Sequence, residues 1–138
     1  MTIELIDTHC HLDEEAFRND AGDVIQRAVD SGLVAIITIG TTAESSRLAV
    51  ELAQKYESVY AAVGIQPNYV AEARPGDWEV IEQLSHNAKV VAIGETGLDR
   101  YWDHAPFELQ EEYFDRHLEL ARQRALPIVV HCRAAEDD

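Results

Sequence analysis

Two histidines separated by one residue follow the first apolar run of the chain, and they could chelate a metal ion. Residues 3–6 predict a β-strand, whose side chains alternate between two faces. Alternation places Asp7, His9 and His11 on one face and the two intervening residues on the other. Neutral imidazoles bind divalent cations, and a nearby carboxylate can accept the remaining imidazole N–H. The motif alone leaves two interpretations open, a metal site or a chance His-x-His sequence in a loop.

Three further polar candidates follow later apolar runs. Gln66 lies in the turn after the third run, Glu95 follows the fourth, and His131 ends the fifth. A carboxylate has two oxygens and can bridge two cations roughly 3.5–4 Å apart, the arrangement that clamps attacking and leaving oxygens in phosphoester hydrolysis. Taken singly, Glu95 could be a solvated loop acid and His131 a structural histidine. Their shared position at strand ends favours a common site with His9 and His11.

Strand-like and helix-like segments alternate along the chain with short connections, which predicts a parallel α/β sheet. A doubly wound sheet and a barrel both satisfy this pattern. The barrel is favoured because the polar candidates gather at strand ends, where (β/α) barrels carry their active sites. In addition, residues 7–13 contain no glycine-rich phosphate loop. The five predicted strands are residues 3–8, 34–39, 59–64, 90–94 and 127–131.

Capping residues indicate where two of the predicted helices begin. Thr41 and Glu44 have the spacing of a capping box, and the helix they open is expected to run to about Tyr56. Pro106 suits the first turn of the helix before the fifth strand. The inner face of that helix is expected to consist of Phe107, Phe114, Leu118, Ala121 and Ala125.

The composition fits one globular domain, and the net charge indicates which kinds of partner it could bind. The 138 residues are 46% hydrophobic and 27% charged. The 11 basic and 26 acidic residues give a net charge of −15, which counts against a module that holds nucleic acid by neutralising phosphates. The charge does not count against a metal-dependent enzyme acting on phosphates, because bound cations reverse the local field.

A sequence without a recognisable targeting signal and with only two cysteines favours a protein of the reducing cytoplasm that does not contact membranes. No apolar run approaches the roughly 20 residues of a membrane helix. The first residues lack the basic and apolar regions of a secretory signal. Cys10 and Cys132 are too few for a disulfide framework, and alternation points each away from its neighbouring histidine. Both are expected to be small buried apolar residues.

Three motifs resemble those of TatD-type deoxyribonucleases, which are metal-dependent hydrolases of the amidohydrolase-like barrel class. They are residues 7–13 (DTHCHLD), residues 94–99 (GETGLD) and residues 131–135 (HCRAA). Their order and spacing resemble the family along the whole chain. The resemblance implies a TIM-type (β/α) barrel that cleaves DNA phosphodiesters with divalent metal ions. Mg²⁺ is the first expectation, with Zn²⁺, Mn²⁺ or Ni²⁺ as alternatives.

The resemblance also implies roles for individual residues. His9 and His11 would bind one cation. Glu95 would be the catalytic ligand that bridges this cation to a second one, which His131 also binds. The implied substrate contacts are Gln66, the rim residue Asp99, and Arg133, which shares a strand face with His131.

Two features depart from the family pattern. Gln66 stands where the family usually has a histidine, and glutamine donates a hydrogen bond but carries no charge. A complete barrel has about 250 residues, whereas this chain offers five predicted strands of eight. The family's further histidine and water-handling aspartate would come from later strands. We therefore expect residues 1–138 to be a single domain, the N-terminal part of a truncated barrel with weak or no activity.

Three functions remain open on the sequence. The first is two-metal hydrolysis of DNA phosphodiesters. The second is cleavage of a C–N or lactone bond by an amidohydrolase-type enzyme, which also uses His-x-His on the first strand, although residues 94–99 favour the nuclease. The third is a non-catalytic fragment that self-associates through open sheet edges.

Overall fold

The computed structural model describes residues 4–138 and shows one sheet of five parallel strands, arranged in the order of the sequence. Each strand pairs with the next one along the chain. The predicted strand order and direction are confirmed. The predicted start of the first strand at residue 3 lies outside the described residues. The strands are β1 (Leu5–Cys10), β2 (Leu33–Ile39), β3 (Val59–Val63), β4 (Val90–Asp99) and β5 (Ile128–Arg133).

Helices fill every connection between successive strands. No helix within residues 4–138 combines the length and apolar character needed to cross a bilayer. Two short 3₁₀ helices, Glu15–Phe17 and Pro67–Glu72, follow β1 and β3. The α-helices are α1 (Ala21–Asp30), α2 (Ala43–Lys55), α3 (Asp77–Leu84) and α4 (Phe107–Arg124).

The two faces of the sheet have different coverings. The main hydrophobic core joins strand side chains such as Val59 and Val63 to helix side chains such as Ala49 and Ile81. A second, smaller cluster contains strand residues only: Ile39, Ala62 and Ala92, with Ile37 and Val129 packed against them. Helices outside and strand side chains inside are the arrangement of a barrel wall. The expected fold, an incomplete TIM-type barrel of five strands with outer helices, is confirmed.

Strand β4 extends past its predicted end at Gly94 as far as Asp99. Its last residues pair with β5, including Gly97 with His131. Gly97 has a φ of +135°, and a Cβ atom there would collide with the carbonyl oxygen of His131. Glycine therefore allows β4 and β5 to approach closely. Glu95 lies within β4, where the pairing with β5 is irregular, instead of following the strand.

Helix α2 begins one residue later than the capping pattern predicted. Thr42 is the N-cap residue, and its hydroxyl accepts a hydrogen bond from the backbone N–H of Ser45 at 3.1 Å. The hydroxyl of Ser45 accepts in return from the backbone N–H of Thr42, also at 3.1 Å. The predicted pairing of Thr41 with Glu44 is wrong because the short Ser45 side chain provides the reciprocal bond.

The predicted inner face of α4 is only partly correct. Ala121 is buried, but Leu118 is exposed, and Ala125 lies beyond the helix as its left-handed C-cap. Gln110 and His117 are buried on the inner face instead. A prediction based on apolar residue types misses them, because both side chains are buried through hydrogen bonds to backbone groups of neighbouring segments.

Within residues 4–138, β1 and β5 are the edges of the sheet, and they expose apolar side chains. Ile6 on β1 is 57% exposed and Val130 on β5 is 50% exposed. Cys132 on β5 is exposed, so its predicted burial is wrong; no described helix follows β5 to cover it. Cys10 is partly buried, and its thiol donates to the carbonyl of Ile37 at 3.4 Å.

Candidate metal centre

Glu95 lies at the centre of the candidate site, with its two carboxylate oxygens directed at different histidines. Its Oε2 atom is 3.9 Å from His9 Nε2 and 4.0 Å from His11 Nε2. Its Oε1 atom is 3.0 Å from His131 Nδ1. Strands β1, β4 and β5 thus bring together all four residues that the sequence predicted as metal ligands. A carboxylate between two histidine groups has the form of a bridging ligand.

His9 and His11 form the first histidine group with Glu95. Ligand atoms from the three residues all lie within 4.8 Å of one another. The Nδ1 atom of His11 donates a hydrogen bond to the carbonyl of Ile39 at 2.9 Å. In the neutral ring this bond leaves a lone pair on Nε2, the atom that faces Glu95. The backbone of β2 therefore fixes the orientation of the His11 ring, as a hydrogen-bond partner does for a metal-ligating histidine.

His131 is held from its other side by Asp99. The Nε2 atom of His131 is 2.8 Å from Asp99 Oδ2. Asp99 is 1% exposed. Burial alone would raise the pKa of its carboxyl, but hydrogen bonds from the backbone N–H of Trp102, from Asn68, from His131 and from the backbone N–H of Tyr101 lower it to about 2. Asp99 is therefore ionised and accepts a hydrogen bond from the Nε2–H group of His131.

The other ring nitrogen of His131, Nδ1, faces Glu95. The distance between Nδ1 and the Glu95 carboxylate shows whether a cation would fit between them. When Nε2–H donates to Asp99, the neutral ring presents the lone pair of Nδ1 to a carboxylate oxygen of Glu95 that is 3.0 Å away. A divalent cation bound by both atoms would relieve the contact between these two acceptors, as a proton on Nδ1 also would. Two atoms that each lie about 2.0–2.2 Å from a shared cation at right angles are roughly 3 Å apart. The distance and the donor chemistry both fit a divalent cation.

Gln66 borders this cluster from the turn after β3. Its Nε2 atom lies 3.3 Å from His131 Nδ1, and its Oε1 atom accepts from the backbone N–H of Asn68 at 2.8 Å. The side chain of Asn68 donates to Asp99 Oδ2 at 2.9 Å. The Asn68 Oδ1 atom is buried and has no hydrogen-bond partner within residues 4–138. The structure therefore places Gln66 beside the cluster and Asp99 behind His131, buried and away from an open rim.

Arg133 lies next to the site on the end of β5. Its guanidinium carbon is 4.2 Å from the centre of the Tyr101 ring and 5.7 Å from that of Trp102. Within the described part of the chain its side chain makes no ion pair. Stacking on an aromatic ring leaves the in-plane N–H donors of a guanidinium free for an anion.

Asp7 does not join the histidines, although strand alternation predicted that it would. The pairing of β1 with β2 is irregular between Asp7 and Cys10, so strict alternation fails there. The Asp7 carboxylate accepts from the backbone N–H of His9 at 3.0 Å, and it is not part of the group of possible ligand atoms formed by His9, His11 and Glu95. Burial and the charge of Asp7 raise the pKa of the Cys10 thiol to about 11. Without a bound cation, Cys10 is thus a protonated thiol at neutral pH.

Comparison with known proteins agrees with this geometry. The family model described as "TatD related DNase" matches residues 6–138. The chain belongs to this family. The TatD family is one of metal-dependent hydrolases, in keeping with a centre built from three histidines and a glutamate.

Individual TatD-family relatives are similar along nearly the whole chain. "Uncharacterized metal-dependent hydrolase YabD" of Bacillus subtilis is 38% identical, over 97% of this chain and 52% of YabD. The crystal structure of YjjV from Escherichia coli has a TM-score of 0.91 at 37% identity, over 99% of this chain and 54% of YjjV. The "3'-5' ssDNA/RNA exonuclease TatD" of E. coli is 32% identical, over 96% of this chain and 51% of that protein. The chain spans about half the length of these relatives.

Three residues that support this TatD-family site were not predicted from the sequence. Gln110 accepts from the backbone N–H of Asp99 at 2.8 Å and donates to the Asp99 carbonyl at 3.2 Å. His117 accepts from the backbone N–H of Ile65 at 2.9 Å, which fixes the turn carrying Gln66. Asn68 is the third, through its bond to Asp99. A seven-residue spacing between Gln110 and His117, which places two polar residues on the inner face of one helix, was the available signal.

Proposed function

We propose that this chain supplies the N-terminal part of the active site of a hydrolase that cleaves phosphodiester bonds of DNA or RNA with two divalent cations. The observation that carries the proposal is Glu95, whose two oxygens face two separate histidine groups. His9, His11 and Oε2 would hold one cation. His131 Nδ1 and Oε1 would hold the other. When bound, such cations polarise a phosphoryl oxygen and lower the pKa of water so that hydroxide is available at neutral pH.

The proposed cation is Mg²⁺, with Mn²⁺, Zn²⁺ or Ni²⁺ as alternatives. The bridging carboxylate suits Mg²⁺ and Mn²⁺, whereas three imidazoles suit Zn²⁺ and Ni²⁺. This mixed set of nitrogen and oxygen donors is the support for a divalent cation.

Other side chains of the chain would position the substrate and the ligands. Asp99 accepts a hydrogen bond from the Nε2–H group of His131 and so keeps Nδ1 directed at the metal centre. Gln66 carries an amide N–H group beside the same imidazole and could donate to a phosphate oxygen. Arg133, stacked on Tyr101, would pair with phosphate through two parallel N–H groups.

We propose that residues 1–138 act as one domain and hydrolyse nucleic acid weakly or not at all without the rest of a barrel. The chain spans about half the length of its relatives. The resemblance implies that a water-handling aspartate comes from a later strand, and loss of such a general base costs about 10²–10⁴-fold in rate. The exposed apolar edges β1 and β5 would bind the remaining strands or a second copy of the chain. A strictly monomeric elution at high concentration would contradict self-association.

We propose a cytoplasmic location because the two cysteines, Cys10 and Cys132, are both free. A reducing compartment keeps such thiols unpaired. Fractionation of cells that express the protein would contradict this location if it were found in an oxidising compartment.

Complementation tests the proposed activity. The chain would be mixed with the C-terminal part of E. coli YjjV, beginning after the region that this chain matches, and assayed with Mg²⁺ or Mn²⁺ on labelled single-stranded and double-stranded DNA. We expect the mixture to cleave DNA and the same mixture with Glu95→Ala to be inactive. A complex that forms by size exclusion but cleaves equally well with Glu95→Ala, or that does not cleave, would contradict the proposal.

A further inference from the structure

A pocket adjoins the candidate metal centre and contains none of its proposed ligands. Its volume is about 350 Å³, and it lies between the 3₁₀ segment after β3 and the connection from β4 to α4. Gln66 contributes to one wall of this pocket and is also 3.3 Å from His131. The pocket and the metal centre therefore share a boundary. Its lining residues are Gln66, Asn68, Tyr69, Glu72, Trp102 and His104.

Both walls of the pocket carry aromatic rings that are open to solvent. Tyr69 is 41% exposed on one side, and Trp102 is 45% exposed on the other. His104 stacks on Trp102 with ring centroids 5.4 Å apart and ring planes at 15°. Exposing large apolar rings costs free energy, so a group of them beside a site indicates a ligand that covers them. Planar rings on two walls favour a planar ligand.

The charge of the pocket indicates which part of a nucleotide it accepts. None of the six residues that line it is a lysine or arginine, and Glu72 adds a carboxylate. The whole chain carries a net charge of −15. A phosphate would be repelled here, whereas a nucleobase is uncharged and can donate N–H groups to carboxylate and amide oxygens. The neighbouring cations and Arg133 would provide the place for phosphate.

We propose that this pocket binds a nucleobase of a single-stranded polynucleotide, stacked on Trp102 and Tyr69, while the adjoining phosphodiester lies at the metal centre. Stacking contributes about 1–3 kcal/mol per base and tolerates any base, because each has a π-face. A base held in a Watson–Crick pair is stacked within the duplex and cannot enter such a pocket. The pocket therefore selects single strands. This inference rests on the proposed function, because it places the scissile phosphate at Glu95.

Tryptophan fluorescence tests the pocket without any cleavage. The chain has two tryptophans. Trp78 packs against Tyr113 and His117 outside the pocket, so a Trp78→Phe protein reports on Trp102 alone. Adenosine and ribose 5-phosphate would be titrated into this protein in EDTA. We expect saturable quenching by adenosine and none by ribose 5-phosphate. Absence of quenching by adenosine, or equal quenching by ribose 5-phosphate, would overturn the proposal.

Variants then test the contribution of each wall. Single-strand binding would be measured by anisotropy of a labelled oligonucleotide with Mg²⁺ present, because the phosphates are expected to need the cations of the metal centre. We expect Trp102→Ala and Tyr69→Ala to raise the Kd about 5- to 150-fold, the factor that corresponds to one lost stacking contact. Trp102→Phe and Tyr69→Phe keep a ring and should restore most of the affinity. Leu118→Ala, which truncates an exposed apolar side chain on α4, should leave the Kd unchanged.

The two proposals fail in different ways. Adenosine binding in EDTA needs no cation, so quenching of Trp102 without DNA cleavage in the complemented enzyme would support the pocket and contradict the proposed hydrolysis. Metal-dependent cleavage of single strands with an unchanged KM in Trp102→Ala and Tyr69→Ala would overturn the pocket and leave the hydrolase intact.

Discussion

The carboxylates of Asp99 and Glu95 face opposite nitrogens of the His131 imidazole, and their different surroundings give them different roles. Asp99 is almost fully buried and receives hydrogen bonds on both oxygens, so its charge belongs to an internal network. Glu95 instead faces three histidines with the two oxygens of one side chain. Asp99 would therefore act on the candidate metal centre through His131, whereas Glu95 would contact the cations directly.

Replacement of Asp99 by asparagine tests this positioning role. The amide keeps the shape of the carboxylate but loses its charge and one acceptor, so His131 would no longer be held with its proton on Nε2. We expect the affinity for Mn²⁺ to fall about 10- to 100-fold, as for other partners of metal-ligating histidines. Asp103→Asn, which removes the same charge from an exposed residue of the same connection, is the matched control. Equal losses in the two variants would show that net charge alone is responsible.

At the scale of the elements, the alternation of residues in strands predicted much of the site. It placed His9 and His11 together, and the strand order brought Glu95 and His131 to the same end of the sheet. It failed for Asp7, because one irregularity in strand pairing reverses the direction of a side chain. It also missed Gln110 and His117, because helical periodicity of apolar residues is silent about polar side chains that are buried through backbone hydrogen bonds.

Burial of His117 makes the packing of α4 against the turn after β3 sensitive to pH. Burial lowers the pKa of this histidine from 6.5 to about 4; a hydrogen bond to the carbonyl of Tyr113 opposes the shift, and the charge of Arg116 adds to it. Below pH 6.5 the unfolded chain binds a proton that the folded chain does not. The free energy of unfolding should therefore fall as the pH drops from 6.5 to 4, by of order 3 kcal/mol.

Urea denaturation at several pH values measures this effect. His117→Gln cannot titrate, so its stability should depend less on pH between 6.5 and 4, although it should be lower at neutral pH. His86→Gln removes an exposed histidine and should keep the wild-type dependence. The assignment to His117 would be refuted by parallel pH profiles for wild type and His117→Gln.

At the scale of the whole molecule, the acidic charge of the chain is compatible with the proposed hydrolysis of nucleic acid if cations are bound at the site. A chain of net charge −15 repels a polyanion at long range. Cations bound between Glu95 and the histidines would reverse the field locally, so phosphate would be attracted to the site and to the neighbouring Arg133. The sequence indicated this role for metal through its motifs. It did not indicate the aromatic pocket, whose residues come from two separate connections.

The central claim is that Glu95 is the shared ligand of two cation sites, and Mn²⁺ binding tests it most directly. Electron paramagnetic resonance would count free Mn²⁺ during titration of the wild type, Glu95→Gln and Glu112→Gln, the last of which removes the same charge from exposed helix surface. We predict that Glu95→Gln weakens binding at both histidine groups by more than the roughly 10- to 100-fold loss that an indirect contact causes. Binding by Glu95→Gln equal to that of Glu112→Gln would contradict the account.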